Sequence, residues 1–231
     1  MRRSAMFIFI SLLLCIAILQ GCTDSTNKEL VTGDVIFEDF DYTTLPSHWT
    51  ITNRNDIFWS LTTNPGFLTI ITQPADVHET ANNPVNFFLR EIPYENYQFT
   101  ARIEIFPERD FEQAGILIWE NEDNYIRLGR VHAFDAQAIE AAVEVATAYT
   151  TVIENIDPIT EVYLRLINLN NQVSYYYSAD GEEWIEVGNR TWVNYSKPII
   201  GLYAISPVSD RAIEAKFDYI QVEELKWEAV E

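Results

Sequence analysis

Arginine and aromatic residues occur two positions apart in short segments of this sequence. Together, the two residue types suit one kind of ligand. Tyr125 lies two positions before Arg127, and Tyr163 lies two positions before Arg165, so each pair faces one side of an extended strand. An aromatic ring stacks on apolar surface, and a guanidinium donates hydrogen bonds to oxygen atoms in its plane. The pairs therefore suit a neutral sugar, whose ring has apolar faces and a rim of hydroxyls.

Six residues form the predicted ligand-binding set. Trp119 ends a strand that leads into an acidic turn, and Trp192 lies in the predicted loop 188–198, where we expect an exposed ring. In the alternative interpretation, the arginines pair with Glu91 or Glu104 across strands, and the tyrosines only cover a sheet face. The set consists of Arg90, Trp119, Tyr125, Arg127, Arg165 and Trp192.

The sequence lacks the residue patterns that several kinds of catalysis require. The chain has two cysteines, Cys15 and Cys22, and both lie in the N-terminal segment described below. The histidines His48, His78 and His132 are isolated in the sequence, and no Ser/His/Asp arrangement or glycine-rich phosphate loop is present. We therefore expect no thiol chemistry, zinc site or nucleotide-binding loop in the folded domain.

The elements that position the candidate residues are predicted to be strands. Apolar residues alternate with polar ones in about twelve segments bounded by Gly, Pro or acidic turns. Residues 137–147 fit both a strand and a helical face, and we predict a strand because every neighbouring segment has that pattern. Trp184 is expected to pack beneath a hairpin turn. So many strands must close into a barrel or pack as two sheets, and we predict an all-β, two-sheet antiparallel sandwich.

The N-terminal segment has the pattern of an export signal. Two arginines precede an apolar run at residues 5–19, which is shorter than the ~20 residues that a membrane-spanning helix needs. The Gly-Cys pair that ends at Cys22 resembles a bacterial lipobox, which implies cleavage before Cys22 and its acylation. We expect a signal peptide at residues 1–21 and a polar tether at 22–33; an uncleaved anchor helix is the alternative.

Charge narrows the range of partners. The chain has 15 Lys+Arg and 35 Asp+Glu, a formal net charge of −20 that becomes −22 without the two N-terminal arginines. Such a surface repels nucleic acids, anionic headgroups and acidic polysaccharides. With 48% hydrophobic and 13% aromatic residues, the domain has enough apolar surface to form a core without disulfides.

Several short motifs occur in the order found in one family. The segments 37–41 and 217–219, at the two ends of the domain, are expected to pair. The set is similar to concanavalin A-like (laminin G-like) jelly-roll domains, to the C-terminal sandwich of some β-xylosidases and to an uncharacterised family of single domains of that type. The resemblance implies one sandwich, predicted at 34–226, with a tail at 227–231. The motifs lie at residues 37–41, 59–61, 65–70, 114–119, 124–128, 163–166, 177–184, 201–204 and 217–219.

The resemblance also implies where ligands bind. The site in this fold family is often the concave sheet or its rim, so the predicted set would line a concave groove. Such sandwiches often hold a structural calcium ion through carboxylate and carbonyl oxygens. Glu38, Asp39 and Asp218 are the predicted calcium ligands if the end strands pair, and the acidic turn at 120–123 is the alternative.

Catalysis is not expected. Catalytic members of the superfamily carry a run of the form Glu-x-Asp-x-x-Glu, which this chain lacks. Glu140 and Glu144 share a strand face but lie about 13 Å apart, whereas glycoside hydrolysis needs carboxylates about 5–9.5 Å apart. A pair formed across strands, such as Glu91 with Glu104, stays open as an alternative.

These inferences combine into one expectation. The protein is expected to be a monomeric, non-catalytic lipoprotein outside the cytoplasm, anchored by lipid to the bacterial membrane (the outer membrane where the host has one). Its expected partner is a neutral polysaccharide or oligosaccharide, with no nucleic acid and no membrane contact beyond the lipid. The alternatives are an envelope protein-interaction or structural module and a cryptic glycoside hydrolase.

Overall fold

The computed structural model describes residues 28–192, 197–208 and 211–230, so the predicted signal peptide and Cys22 lie outside the described residues. No helix in these ranges is long and apolar enough to cross a membrane. The described strands are β1 Lys28–Glu38, β2 Thr50–Ile51, β3 Trp59–Ser60, β4 Leu68–Ile71, β5 Phe88–Glu91, β6 Tyr97–Glu104, β7 Gln113–Asn121, β8 Asn124–Ala133, β9 Ala136–Val145, β10 Ala148–Asn155, β11 Glu161–Leu169, β12 Gln172–Ser178, β13 Ile185–Thr191, β14 Ile199–Ile205 and β15 Glu214–Ala229.

The strands of the described ranges form two sheets. The first sheet has the order β13-β12-β11-β6-β15-β4-β3, with β1 also paired to β15, and the second has the order β10-β9-β8-β7-β14-β5-β2. Neighbouring strands run antiparallel, as in the β7–β8 and β6–β11 pairs. The prediction of an all-β, two-sheet antiparallel sandwich is therefore confirmed. Most of the ambiguous segment 137–147 lies in strand β9, as predicted.

Strands β1 and β15 bring the two ends of the described domain together. Glu38 lies opposite Ile220, which confirms the predicted pairing of the end segments. The pairing continues outward to Lys28 opposite Ala229, so residues 28–33 of the predicted tether and 227–229 of the predicted tail are strand, whereas residues 22–27 lie outside the described residues. Backbone hydrogen bonds extend the two strands through residues whose polar side chains give no alternating pattern.

Alternation along each strand separates a core side from an outer side. In β11, Val162, Leu164 and Leu166 are fully buried between the sheets, whereas Tyr163 and Arg165 point outward. The other central strands repeat this pattern and contribute to one cluster of buried residues between the sheets. The outer side of each sheet is therefore the surface available for function.

The outer side of the second sheet has a cover of its own. Residues 72–87 connect β4 in the first sheet to β5 in the second. Val77 and Phe87 pack against Leu117 and Tyr203, which makes a second apolar cluster outside the sandwich. This connection distinguishes the two outer faces of the molecule.

Gly129 makes room for one aromatic ring beneath this cover. Tyr203 lies opposite Gly115, which lies opposite Gly129, so the ring of Tyr203 extends across β7 toward β8. A Cβ at Gly129 would lie 2.3 Å from the Tyr203 hydroxyl and 3.0 Å from the Ala114 carbonyl oxygen. The hydroxyl itself donates to Gln113 Oε1 at 3.1 Å.

Replacing Gly129 tests this close approach. Gly129→Ala should lower the free energy of unfolding by about 1–3 kcal/mol, since the added methyl overpacks the site. Urea denaturation measures the change. Tyr203→Phe removes the nearest atom, so the double substitution should cost less than the two single changes added together. Simple additivity would contradict the proposed contact.

Candidate functional site

The structure divides the six predicted ligand-binding residues among three environments. Trp119, Tyr125 and Arg127 lie together on the outer side of the second sheet. Arg165 lies on the outer side of the first sheet, so it is separated from them by the thickness of the sandwich. The remaining two residues lie in or beside the inter-sheet core, and they are Arg90 and Trp192.

The residues on the second sheet form a covered cluster, defined as Trp119, Tyr125, Arg127, Glu140 and Glu144. The rings of Trp119 and Tyr125 stack with centroids 6.0 Å apart and planes 20° apart. Each member is less than a tenth exposed, because residues 72–87 lie over them. Three of the six predicted residues therefore lie together, but beneath a cover and not in the open groove that the sequence predicts.

Arg127 is a buried cation within this cluster. Its Nη2 lies 3.4 Å from Glu140 Oε2 and donates to the Tyr149 hydroxyl at 3.2 Å. Its Nη1 lies 3.7 Å from Asp76 Oδ1, beyond hydrogen-bond distance. Burial lowers the pKa of Arg127, but the Glu140 carboxylate and the neighbouring tyrosine hydroxyls together more than offset this, so the pKa lies above its usual range.

Glu144 holds the cover in place. Its Oε2 accepts a hydrogen bond from the Glu79 amide at 2.9 Å and lies 3.0 Å from the Tyr125 hydroxyl. That hydroxyl is also 3.0 Å from the Val77 carbonyl oxygen, and burial raises the pKa of Tyr125 above its usual range. Three buried atoms of the cluster have no hydrogen-bond partner in the structure: Arg127 Nε, Arg127 Nη1 and Glu144 Oε1.

The outer side of the first sheet is an open surface around Arg165. The Arg165 guanidinium carbon lies 3.5 Å from the centroid of the Trp184 ring, and Nε donates to Thr100 Oγ1 at 3.3 Å. Burial by these neighbours lowers the pKa of Arg165 to about 10. Tyr176 lies directly opposite Arg165 on β12. We define the aromatic face as Phe37, Tyr163, Arg165, Tyr176, Trp184 and Tyr219.

Strand register places the other rings of the aromatic face. Arg102 on β6 lies between Tyr163 on β11 and Tyr219 on β15. Phe37 on β1 stacks on Tyr219 with ring centroids 5.5 Å apart, and it is 52% exposed. The four residues therefore make a band of side chains across the open side of the sheet.

Ion pairs neutralise the charges beside this band. Arg102 pairs with Asp218 at 2.5 Å and with Glu161, whose pKa this hydrogen bond lowers below its usual range. Glu104 lies 2.6 Å from Lys216. The sequence alternative, in which the predicted arginines pair with Glu91 or Glu104, does not describe Arg165, whose main contact is the Trp184 ring. The cross-strand ion pairs of this face belong instead to Arg102, which is outside the predicted set.

Arg90 belongs to a different cluster, in which it pairs with the buried carboxylate of Glu38. Glu38 Oε2 accepts from Arg90 Nη1 at 2.5 Å and lies 3.1 Å from His48 Nε2. Glu38 Oε1 accepts from Trp49 Nε1 at 3.0 Å and from the Tyr42 hydroxyl. Burial raises the pKa of Tyr42 above its usual range. Arg90 therefore neutralises Glu38 and is not arranged toward a ligand.

The predicted calcium ligands are not brought together as a site. Glu38 is bound as described above, Asp39 Oδ1 accepts from the Asp41 amide at 3.2 Å, and Asp218 pairs with Arg102. In the part of the chain that the structure describes, no group of three or more His, Cys, Asp or Glu side chains is placed to hold a metal ion. The carboxylates are instead used in the domain's own hydrogen bonds and ion pairs.

The cross-strand carboxylate pair is also not formed. Glu91 lies on β5 of the second sheet, and Glu104 lies on β6 of the first. Each is bound to a lysine, with Glu91 2.7 Å from Lys197 and Glu104 2.6 Å from Lys216. The two carboxylates therefore do not face one another across neighbouring strands.

Tryptophan positions were the least predictable. Trp192 was expected in an exposed loop but is 4% exposed and belongs to the inter-sheet core. Trp184, which follows the predicted hairpin turn, has its ring over the Arg165 guanidinium. The turn itself forms as predicted, with Asp180 Oδ1 accepting amide hydrogen bonds from Glu182 and Glu183 at 2.8 and 3.0 Å.

The fold and its two outer faces define the class of protein, a concanavalin A-like β-sandwich. The family model described as the β-xylosidase C-terminal concanavalin A-like domain matches residues 38–223, and the chain belongs to this family. The match covers both sheets, including the aromatic face and the covered cluster, except for Phe37.

Two curated relatives and one solved structure show the extent of the similarity. A xylosidase/arabinosidase of Butyrivibrio fibrisolvens is 30% identical over 103 residues, which are 44% of this chain and 19% of that protein. The non-reducing end α-L-arabinofuranosidase BoGH43B of Bacteroides ovatus is 32% identical over 92 residues, 39% of this chain and 17% of the relative. The GH43 protein BlXynB of Bacillus licheniformis has a TM-score of 0.73 at 22% identity, covering 84% of this chain and 39% of that one. The chain thus spans about a fifth of the length of the curated relatives.

Removing the Glu38 carboxylate tests the buried cluster. Glu38→Ala should lower the free energy of unfolding by about 3–5 kcal/mol, because Arg90 is left charged and unpaired in a mostly buried position. Glu91→Ala is the matched control, since Glu91 and Lys197 are more than half exposed and solvent screens their attraction, so this change should lower the free energy of unfolding far less. Urea denaturation measures both changes, and equal losses would contradict the argument.

Proposed function

We propose that this protein is a non-catalytic domain that binds a neutral glycan through the aromatic face and is held to a membrane by lipid on Cys22. The observation that carries the binding proposal is the open band of rings around Arg165, which is itself stacked on Trp184. Two relatives bear the names xylosidase/arabinosidase and α-L-arabinofuranosidase, which supports a pentose-containing glycan as the ligand.

The size and chemistry of the aromatic face suit a polysaccharide chain. Tyr176 on β12 and Phe37 on β1 are separated by four inter-strand steps, or roughly 19 Å, enough for several sugar units. Aromatic rings stack on the apolar faces of sugars, and Arg165 donates to their hydroxyls. The net charge of −20 opposes a polyanionic chain, so the proposed ligand is neutral.

The placement of the carboxylates supports a role without catalysis. The acid pair named from the sequence, Glu91 and Glu104, is divided between the two sheets, and each member is bound to a lysine. The family description refers to the C-terminal domain of β-xylosidases. Binding without hydrolysis is therefore the function that this arrangement favours.

Retention of the purified protein on insoluble polysaccharides tests the proposal. Xylan, arabinoxylan, cellulose, mannan and β-glucan are compared at equal surface loading. We expect selective retention on a pentose-containing polymer. Absence of retention on every polymer would overturn the proposal and favour the alternative of an envelope protein-interaction module.

A single ring should account for much of this binding. Trp184→Ala removes the surface on which Arg165 stacks, and we expect affinity for the retained polymer to fall about tenfold with the fold intact, since Trp184 is only partly buried. Phe134→Ala is the matched control, because Phe134 is 72% exposed at the turn that joins β8 to β9 of the second sheet. Isothermal depletion assays measure both, and equal affinities would rule out the aromatic face.

The two cysteines provide a paired test of lipid attachment. Cys22→Ser should give a protein that lacks acyl chains and keeps residues 1–21, because acylation and cleavage both depend on the lipobox cysteine. Cys15 lies in the predicted signal peptide, so Cys15→Ser should leave the acylated, cleaved product unchanged. Intact mass of the protein from the membrane fraction measures the outcome. A Cys22→Ser protein that is still cleaved before residue 22, or an unaltered protein without acyl mass, would contradict the proposed anchor.

A further inference from the structure

The covered cluster is polar, buried and incompletely hydrogen-bonded. Arg127 is 4% exposed, and Glu144 is fully buried. Arg127 Nε and Nη1 and Glu144 Oε1 have no hydrogen-bond partner. An unpaired buried polar group is costly, and folded proteins satisfy the great majority of such groups. A guest molecule that both accepts and donates hydrogen bonds would satisfy all three atoms.

The charges and rings around these atoms define the guest. Arg127 offers only donors, and Glu144 offers only an acceptor, so the guest must supply both functions. Adjacent hydroxyls on a sugar do so, whereas a carboxylate or phosphate would be repelled by Glu140, Glu144 and Asp76. Tyr125 and Trp119 provide the stacked rings that suit a sugar face. The chemistry fits a single neutral sugar unit.

Residues 78–83, the outer part of the connection that covers the cluster, make few contacts with the rest of the protein. Residues 78–83 are exposed, and Glu79 adopts a left-handed backbone conformation with φ of 52°. The segment is held to the sheet by the Glu79 amide on Glu144, by Asn82 Nδ2 on Asp123 Oδ1 at 2.9 Å, and by the His78 ring, whose centroid is 4.4 Å from that of Tyr149. At its two ends, the His78 amide, the Asn83 amide and Asn83 Oδ1 form hydrogen bonds with Asp76, which can act as hinges. Segments with few buried apolar contacts open at lower free energy than core strands.

We infer that the covered cluster is a second saccharide site, which admits one neutral sugar unit when residues 78–83 lift away. The sugar hydroxyls replace the Glu79 amide at Glu144 and occupy the free donors of Arg127. Its ring enters beside Tyr149. The inference takes its ligand class from the proposed function, but it uses the opposite sheet and is tested with free monosaccharides.

Amide hydrogen exchange on the whole purified protein provides a specific readout. D-xylose and L-arabinose are the probes, and D-glucuronate is the charged control. We expect either pentose to accelerate exchange of the Glu79 amide, because it loses its acceptor, and to quench Trp119 fluorescence. Glucuronate should do neither. Slower exchange or no change at Glu79 with both pentoses would overturn the inference.

A substitution within residues 78–83 tests the inference without changing any residue of the covered cluster. Asn82→Ala removes one hydrogen bond from the closed state, so the open state becomes more populated and pentose affinity should rise about fivefold. Thr80→Ala, also at an exposed position of the segment, is the matched control and should bind like the unaltered protein. Equal affinities for the two variants would contradict a cover that must open.

Glu144, the proposed hydrogen-bond acceptor for the sugar, is tested separately from the aromatic face. Glu144→Gln keeps the size of the side chain and should weaken pentose binding at least tenfold, while retention on insoluble polymer through Trp184 is unchanged. A folded Glu144→Gln protein with full pentose affinity would overturn the inference. A crystal grown with xylose that shows only water on Arg127 and Glu144, beneath a closed segment, would also overturn it. Loss of polymer retention in Trp184→Ala bears on the proposed function alone.

Discussion

The buried carboxylate of Glu38 is the interaction on which the arrangement of the sandwich depends. It lies at the end of β1 in the first sheet, and it accepts a hydrogen bond from Arg90 on β5 of the second. Trp49, which belongs to the core between the sheets, donates to the other oxygen. Burial of a lone carboxylate is unfavourable, so the charge requires these donors at fixed positions. One residue thereby links the N-terminal strand, the core and the opposite sheet.

The connection from β4 to β5 makes the two outer faces different. Because it passes from one sheet to the other, residues 72–87 lie over the second sheet and bury Trp119 and Tyr125. The outer side of the first sheet retains its partly exposed rings and the exposed ring of Phe37. Similar arginine–tyrosine pairs on β8 and β11 consequently have different environments. The Arg127 guanidinium is buried among carboxylates, whereas the Arg165 guanidinium stacks on an indole at an open surface.

Local pattern predicted the strands, the antiparallel sandwich and the pairing of the end segments, because alternation reports directly which side of a strand is buried. It did not distinguish Tyr125 from Tyr163, since burial of Tyr125 depends on a connection that includes Val77, 48 residues earlier in the chain. Arg90 finds its carboxylate 52 residues away, which no spacing rule specifies. Trp192 follows an edge strand in a polar segment, yet its ring enters the core. Residues from 28 onward lack alternation but gain backbone pairing with β15.

The position of β15 has a consequence for the order of folding. This last strand lies between β6 and the pair of β4 and β1, and the Asp34 amide contacts Glu224 across 190 residues of chain. Contacts so distant in sequence form slowly because a long loop must close first. Until synthesis reaches residue 214, the inner edges of β1, β4 and β6 have unpaired backbone groups, the kind of surface that aggregates. The nascent chain is therefore vulnerable until its final strand arrives.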